Sequence, residues 1–295
     1  MAAAYGNLGN IMQSRGELDE AEAMHRKALA IHEKLGIPEG MAAAYGNLGL
    51  IMQARGELDD AEAMHRKALA IDEKLDDLEG MAGIYTNLGV IMQIRGELDD
   101  AEAMFRKSLA IQEKLGRLEG MAINYGNLGN IMQARGELDD AEAMYHGALE
   151  IFEKLGRLEG MADNYNNLGN IMVIRGDLDD AEAMYLKSLE INEKLGRLEG
   201  PTACGNLGTI MGIRGDLDAA ESMHRISLAI NEELGSLEGM AIDYGNLGIL
   251  AMTRGGDGWQ DIARQHWKTA RDLFARLGTQ HKVDKMQALI DAMPE

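Results

Sequence analysis

One polar residue type recurs at the same place throughout a repeated sequence. Seven asparagines follow one another at intervals of 39 or 40 residues: Asn7, Asn47, Asn87, Asn127, Asn167, Asn206 and Asn246. An amide side chain offers a donor and an acceptor, so it can pair with both polar groups of an extended peptide backbone. The same amide could instead tie one repeat to the next. The sequence alone leaves both roles open.

The sequence offers little for catalysis. Carboxylates recur in every repeat at places typical of helix caps and solvated surfaces, and no grouping of serine, histidine and aspartate stands apart from the repeat. The glycine pair in the segment YGNLG lies within a helical pattern and lacks the spacing of a P-loop or a dinucleotide-binding loop. We therefore predict that the protein is not an enzyme and uses no cofactor.

Metal binding is not expected either. One position holds histidine in some repeats and an aromatic residue in others: His25, His65 and His224 against Phe105, Tyr145 and Tyr185. A position that accepts all three side chains is a packing position rather than a metal ligand. The single cysteine, Cys204, excludes an internal disulfide and a multi-cysteine metal site.

The charge of the chain narrows the classes of partner. Its 295 residues carry a formal net charge of −20, which repels nucleic acids and anionic membranes and attracts basic proteins. No stretch approaches the roughly 18 uninterrupted apolar residues of a membrane-spanning helix, and no signal-peptide pattern opens the sequence. We expect a soluble cytoplasmic protein whose partner is a protein or peptide, with a preference for a basic one.

The repeat unit of 40 residues reads as two helices. In the second unit, the first helix is predicted to end at Arg55 and Gly56, where a left-handed glycine stops a helix. The next helix is predicted to open at Asp59, with Glu62 as its capping-box partner. The same pair recurs as Asp19/Glu22, Asp99/Glu102, Asp139/Glu142, Asp179/Glu182 and Asp218/Glu221.

The second helix of the unit has the spacing of a buried face. Its apolar residues recur every three or four positions: Leu58, Ala61, Met64, Ala68, Leu69, Ile71 and Leu75. Helical hairpins joined by short turns stack side by side. With units starting near residues 1, 41, 81, 121, 161, 201 and 240, we predict an all-α solenoid of seven hairpins over residues 1–280 and a capping helix over residues 281–295.

Five residues of this unit resemble a known family. Their spacing is that of the tetratricopeptide signature, an aromatic followed by Leu-Gly and later by two alanines: Tyr45, Leu48, Gly49, Ala61 and Ala68. The 40-residue length resembles the subgroup found in kinesin light chains and in spindle-orientation scaffolds. The family's usual proline near the end of the second helix is missing, and longer helices would explain that. The resemblance implies a right-handed α-solenoid that serves as a protein–protein interaction scaffold.

In the family that this sequence resembles, the first helices line a concave groove and an asparagine contacts the main chain of a bound peptide. The resemblance therefore implies that amides on this surface bind peptide. The predicted peptide-binding residues are Asn47, Asn87, Asn127, Asn130, Gln133, Asn166, Asn167, Asn170 and Asn206. We do not expect recognition of a terminal carboxylate, because Gly46, Gly126 and Gly245 stand where chaperone-binding members need lysine.

Arginines recur at the end of each first helix: Arg15, Arg55, Arg95, Arg135, Arg175, Arg214 and Arg254. A cation at that end is favoured by the helix dipole, and we prefer this structural interpretation. Recognition of acidic side chains at the rim of the groove is the alternative.

The two ends of the repeat array differ. Trp259 and Trp267 enter the diverged last unit, and residues 281–293 have the pattern of a closing amphipathic helix. Met1 starts inside a complete unit, which predicts a fragment of a longer chain or an N-terminal face that self-associates. Two alternatives to a peptide-binding scaffold stay open. They are a ligand-sensing C-terminal module of a larger signalling ATPase or transcription regulator, and a self-assembling structural array.

Overall fold

A computed structural model describes residues 1–196, 200–256 and 258–293 of the chain. The chain forms two compact units, Met1–Ile151 and Phe152–Glu295. Both are helical, and the residues that the structure describes contain no strand. In each unit, helices that are neighbours in sequence pack against one another. The predicted all-α fold of stacked helical hairpins is therefore confirmed.

The first unit contains three complete hairpins and the first helix of a fourth. Its helices are α1 (Ala2–Ser14), α2 (Leu18–Leu35), α3 (Pro38–Ala54), α4 (Leu58–Leu75), α5 (Leu78–Arg95), α6 (Leu98–Leu115) and α7 (Leu118–Arg135). The division between the two units falls within the next helix, α8 (Leu138–Leu155).

The second unit contains three hairpins and a final helix. Its helices are α9 (Leu158–Arg175), α10 (Leu178–Lys194), α11 (Pro201–Arg214), α12 (Leu217–Leu234), α13 (Leu237–Arg254), α14 (Trp259–Arg276) and α15 (Gln280–Asp291). Met286 of α15 lies in one buried cluster with Trp267 and Phe274 of α14. The last helix therefore covers the apolar face of α14.

The ends of the helices agree with the sequence prediction at one place and differ from it at another. Gly56 has a φ of 79°, the left-handed conformation expected after the first helix. The predicted capping boxes are wrong. α4 begins at Leu58 with Glu57 before it, and no side chain caps it. All six predicted capping aspartates lie inside the first turn, where a carboxylate favours the helix dipole: Asp19, Asp59, Asp99, Asp139, Asp179 and Asp218.

The interior of a hairpin combines small residues of the second helix with larger ones of the first. Ala61 and Ala68 are completely buried, as is Leu48. The same face of α4 also buries His65 and Asp72, two polar residues that the apolar pattern did not include.

The first helix of the chain presents part of its apolar face to solvent. Leu8 and Ile11 are 40% and 48% exposed, whereas the equivalent Leu48 and Ile51 of α3 are completely buried. α2 of the first hairpin packs against α3, whereas no described helix packs against α1 in the same way.

Candidate functional site

The recurring asparagines, which we name the asparagine ladder, lie on the first helices of the hairpins. Asn7 is exposed and the other six are half-buried: Asn47, Asn87 and Asn127 in the first unit, and Asn167, Asn206 and Asn246 in the second. Each of these six precedes a buried leucine in its helix, such as Leu48 after Asn47. The packed leucine fixes the helix, and the amide beside it remains accessible.

Two glycines beside the ladder have different surroundings. A Cβ atom on Gly49 would lie 2.7 Å from the ring of His65, so this glycine allows close packing within the hairpin. A Cβ atom on Gly46 would meet only Ile84 Cδ1, at 3.6 Å. Gly49 therefore serves helix packing, as its place in the signature predicts. Gly46 instead leaves open the surface next to Asn47.

The amides of the ladder differ in their hydrogen bonds. Within the residues that the structure describes, no protein group bonds to the side chains of Asn47, Asn87 or Asn127. In the second unit, Asn206 Nδ2 donates to Asn170 Oδ1 over 3.3 Å. The link between repeats that the sequence left open thus exists at Asn206. It does not exist at the three half-buried amides of the first unit.

The other predicted amides are partly engaged by tyrosines. The hydroxyl oxygen of Tyr145 lies 2.8 Å from both Asn130 Oδ1 and Gln133 Oε1. In the second unit, the hydroxyl of Tyr185 donates to Asn170 Oδ1 over 2.7 Å. Burial raises the pKa of both phenols, so they stay protonated donors. Since Tyr145 has a single proton, it donates to one of its two amides at a time. Within the described residues the tyrosines engage the oxygens of these amides and leave their NH2 groups for a ligand.

A cavity of about 350 Å³ opens between the second and third hairpins of the first unit. It is bounded by α3, α4 and α5, and we name it the Asp72 cavity. Its charged and amide lining consists of Glu39, Asn47, Asp72, Asp77, Glu79 and Asn87. Two rungs of the asparagine ladder thus face a space that is bordered by four carboxylates.

Asp72 is the deepest of these carboxylates. Its residue is only 5% exposed, and no hydrogen bond or ion pair reaches its side chain from the residues that the structure describes. Burial, and secondarily the charge of Asp77, raise the pKa of Asp72 to about 6. A Cβ atom on Gly80 would lie 2.6 Å from Asp72 Oδ2, so glycine is needed there for the carboxylate to fit.

The position of Asp72 varies between repeats that are otherwise very similar. Its equivalents are His32, Gln112, Phe152, Asn192 and Asn231, and each packs on a glycine at the start of the following helix. Asp72 was not among the predicted site residues. Ala61, His65, Ala68 and Asp72 follow one another at steps of four, three and four, so helical spacing alone could have placed Asp72 on the buried face.

A second cavity, of about 400 Å³, lies between the sixth and seventh hairpins within the second unit. We name it the Asp243 cavity, and Asn206 and Asn246 of the ladder line it. Asp243 is 2% exposed. Its Oδ2 atom lies 2.8 Å from Ser227 Oγ and accepts a hydrogen bond from Asn231 Nδ2, also over 2.8 Å. This buried carboxylate is therefore held by protein donors.

Ser227 and Asp243 line this cavity and His224 lies next to Asp243, but the three do not form a catalytic triad. His224 Nδ1 lies 3.7 Å from Asp243 Oδ1, whereas the hydroxyl of Ser227 contacts Asp243 and the carbonyl of Pro201. A triad needs the serine proton on the imidazole. Within the described residues no hydrogen bond joins the Ser227 hydroxyl to His224, so the three side chains do not have the arrangement of a triad.

Among the described residues, no three histidine, cysteine or acidic side chains are grouped so that they could hold a metal ion. No helix in the part of the chain that the structure describes is long and apolar enough to cross a membrane.

The arginines that recur at the ends of the first helices, which we name the arginine ladder, connect consecutive hairpins. Arg95 donates to Asp59 over 2.6 Å and to Glu62 over 2.5 Å, both in the preceding repeat. The guanidinium of Arg95 holds the pKa of Glu62 below its usual range. Equivalent pairs are made by Arg55, Arg135, Arg214 and Arg254. Five of the six acidic pairs that were predicted to cap helices therefore join repeats instead.

Comparison with known proteins agrees with this architecture. The profile of the family described as Tetratricopeptide repeat matches residues 1–74, 40–114 and 120–194. No curated protein matches the chain.

Several solved structures are similar to the chain. BtubC (BKLC) from P. vanneervenii is 24% identical, with a TM-score of 0.63 over 74% of this chain and 92% of that one. The apo form of RapI is 14% identical, with a TM-score of 0.74 over 96% and 99%. A Podosopora anserina kinesin light chain with nearly identical TPR-like repeats is 22% identical, with a TM-score of 0.54 over 66% and 96%. At these identities the likeness shows a shared fold.

Proposed function

We propose, from the premise that this chain belongs to the tetratricopeptide repeat family, that it is a scaffold that binds an extended segment of another protein along its first helices. One observation carries the proposal. The half-buried amides of Asn47, Asn87 and Asn127 have no protein partner within the described residues. A half-buried amide without a partner has a donor and an acceptor available for a peptide backbone.

The repetition of these amides suits an extended ligand. Recurring amides can bind successive peptide units, and each hydrogen bond to the main chain is independent of the peptide's sequence. Preference for a particular sequence would then come from residues that differ between repeats. The cavities beside Asn47 and Asn206 are lined by such residues.

The remaining predicted residues have supporting roles in this proposal. Tyr185 donates a hydrogen bond to Asn170, and Tyr145, which has one hydroxyl proton, donates to either Asn130 or Gln133. The amide that accepts such a bond presents its NH2 group in a fixed direction. Asn166 Oδ1 is buried and has no partner within the described residues. We propose that Asn167 acts in the second unit as Asn127 does in the first.

The test is selection from a displayed peptide library on the full chain, followed by affinity measurement of one enriched peptide. We expect the wild type to enrich peptides and Asn87→Ala/Asn127→Ala to bind them at least about tenfold more weakly. Four hydrogen bonds are lost, and each contributes roughly 0.5–1.5 kcal/mol. Circular dichroism checks that the variant is as helical as the wild type.

Asn206→Ala is the matched control. Its amide already bonds to Asn170, so its loss should lower stability more than it lowers affinity for peptides. If the folded double variant binds the enriched peptides as tightly as the wild type does, the ladder does not hold the ligand. A wild type that enriches no peptide would remove the proposed function itself.

The net charge of −20 favours a basic partner by long-range attraction. The two alternatives, a sensor module of a larger signalling protein and a self-assembling array, stay predictions. The exposed Leu8 and Ile11 of α1 are the residues through which self-association would be tested. Sedimentation of the wild type and of Ile11→Lys over a range of concentrations distinguishes these cases.

A further inference from the structure

We propose that the Asp72 cavity binds the cationic end of a lysine or arginine side chain that belongs to the polypeptide held by Asn47 and Asn87. This inference rests on the proposed function and adds the chemistry of the partner. It concerns the space between the second and third hairpins, where ladder amides and carboxylates face each other.

The Asp72 carboxylate is buried beside the cavity without a partner among the described residues. Asp72 is 5% exposed and lines the cavity. It has no hydrogen bond or ion pair within the described residues. A buried charge is costly unless a cation or several donors accompany it. The described residues supply neither, so a ligand with a positive charge would complement the Asp72 carboxylate.

Three acidic residues of this repeat, Asp72, Asp76 and Asp77, have no acidic equivalent in the other repeats. After the second helix, two following repeats have Gly116-Arg117 and Gly156-Arg157, where this one has Asp76-Asp77. Asp76 takes a left-handed conformation with a φ of 58°, which aspartate adopts less readily than glycine. A basic loop residue is therefore replaced by an acidic one at the mouth of the cavity that contains Asp72.

Neighbouring charges leave Asp72 available. Glu79 is paired with Arg117 over 2.8 Å, and Asp77 accepts a hydrogen bond from the backbone of Gly80. Glu39 stands on α3 at the other side of the opening. The mouth thus carries net negative charge, and among the described residues no lysine or arginine lines the cavity.

The cation is organic and belongs to a polypeptide. The described carboxylates do not form a three-ligand group for a metal ion. Asn47 and Asn87 line the same cavity, so a backbone held by the ladder would pass its mouth. A long basic side chain can then extend inward while its main chain stays at the surface.

The test uses the full chain and one library-selected peptide that contains a lysine, together with its norleucine analogue. We expect the wild type to bind the lysine peptide at least about tenfold more tightly than the analogue. Asp72→Asn should reduce that ratio to about one. Glu73→Gln is the matched control, because it removes one negative charge from the adjacent exposed residue and leaves the cavity intact.

The outcomes separate this inference from the function on which it rests. If Asp72→Asn keeps the full preference for lysine, or if Glu73→Gln loses as much, the inference is wrong and peptide binding still stands. If the wild type enriches no peptide, or Asn87→Ala/Asn127→Ala binds as the wild type does, the proposed function fails first.

Titration with n-butylammonium chloride distinguishes a polypeptide from a small amine. We expect this probe to bind far more weakly than the lysine peptide, because it lacks the backbone that the ladder pairs with. An equal affinity of the two would assign the cavity to a free amine and overturn the polypeptide as its occupant.

Discussion

The Asp72 cavity and the Asp243 cavity are two versions of one structural feature, each described within its own unit. Both lie between consecutive hairpins, both contain two rungs of the asparagine ladder, and both hold a carboxylate that is at least 95% buried. Asp243 has two polar partners, Ser227 and Asn231. Asp72 has none within the described residues.

This difference separates a carboxylate that stabilises the fold from one that is available to a ligand. Asp243 satisfies buried donors, so the interface between two hairpins depends on it. Asp72 lowers stability when ionised and makes no compensating contact within the described residues. Since the surrounding helices have almost the same sequence, the difference between the two carboxylates arises from a few side chains that face each cavity.

We expect the largest change in stability at Asp243, the carboxylate that has hydrogen-bond partners. Asp243→Ala removes the acceptor of two buried groups and should lower the free energy of unfolding by about 2–4 kcal/mol. Urea denaturation followed by tryptophan fluorescence measures it locally, because both tryptophans, Trp259 and Trp267, lie in α14, which packs against α13.

Asp243→Asn is the control for this prediction. The equivalent Asn124 donates from Nδ2 to Ser108 Oγ over 3.0 Å and to the carbonyl of Gly120 over 2.8 Å. An amide at this position is thus compatible with the same fold and should restore part of the stability. If Asp243→Ala is as stable as the wild type, the contrast between the two cavities is not energetic.

At Asp72, unlike at Asp243, we expect a substitution to raise the free energy of unfolding. Asp72→Asn should raise the free energy of unfolding at pH 8 by about 1–3 kcal/mol, because the pKa of Asp72 rises from its usual 3.8 to about 6 on folding. The ionised form is the one that folding disfavours. Urea denaturation followed by circular dichroism at several pH values measures the difference between the two proteins.

The same comparison of wild type and Asp72→Asn at low pH is the control for this prediction. Folded protein binds the proton of Asp72 more tightly, so stability falls as the pH rises from 3.8 to about 6 and the penalty is complete above that range. The advantage of Asp72→Asn should therefore vanish near pH 4. Glu39, Asp77 and Glu79 face the cavity in both proteins, so their titration largely cancels in the difference. An advantage that is the same at pH 4 and pH 8 would contradict the raised pKa.

Much of the fold could be predicted because the sequence repeats it. The apolar spacing of each second helix and the left-handed Gly56 gave the hairpins correctly. The capping boxes were wrong, since Asp59 and Glu62 also fit the spacing of an inter-repeat ion pair with Arg95. Local spacing cannot distinguish a cap from a pair whose partner is 33 or 36 residues away.

The candidate site was only partly predictable. The asparagine ladder was visible because identical residues recur, but the free amide of Asn47 and the bonded amide of Asn206 look alike in the sequence. Asp72 was missed because an acidic residue in a charged helix is usually solvated. Its burial depends on Gly80, which leaves room for the carboxylate in the next helix. Such contacts depend on tertiary packing.

The smallest effect is expected at the arginine ladder, where the two units have the same ion pairs. Arg95 is 20% exposed and Arg214 is 35% exposed, and each bonds an aspartate and a glutamate of the preceding repeat. Arg95→Ala should lower the free energy of unfolding by about 1 kcal/mol and Arg214→Ala should lower it by less, because solvent weakens the more exposed pair. Urea denaturation in low salt and in about 1 M NaCl measures both, and the salt should reduce each effect. If Arg214→Ala lowers the free energy of unfolding more than Arg95→Ala does, exposure does not determine the strength of these ion pairs. The two units then differ in more than the side chains of their cavities.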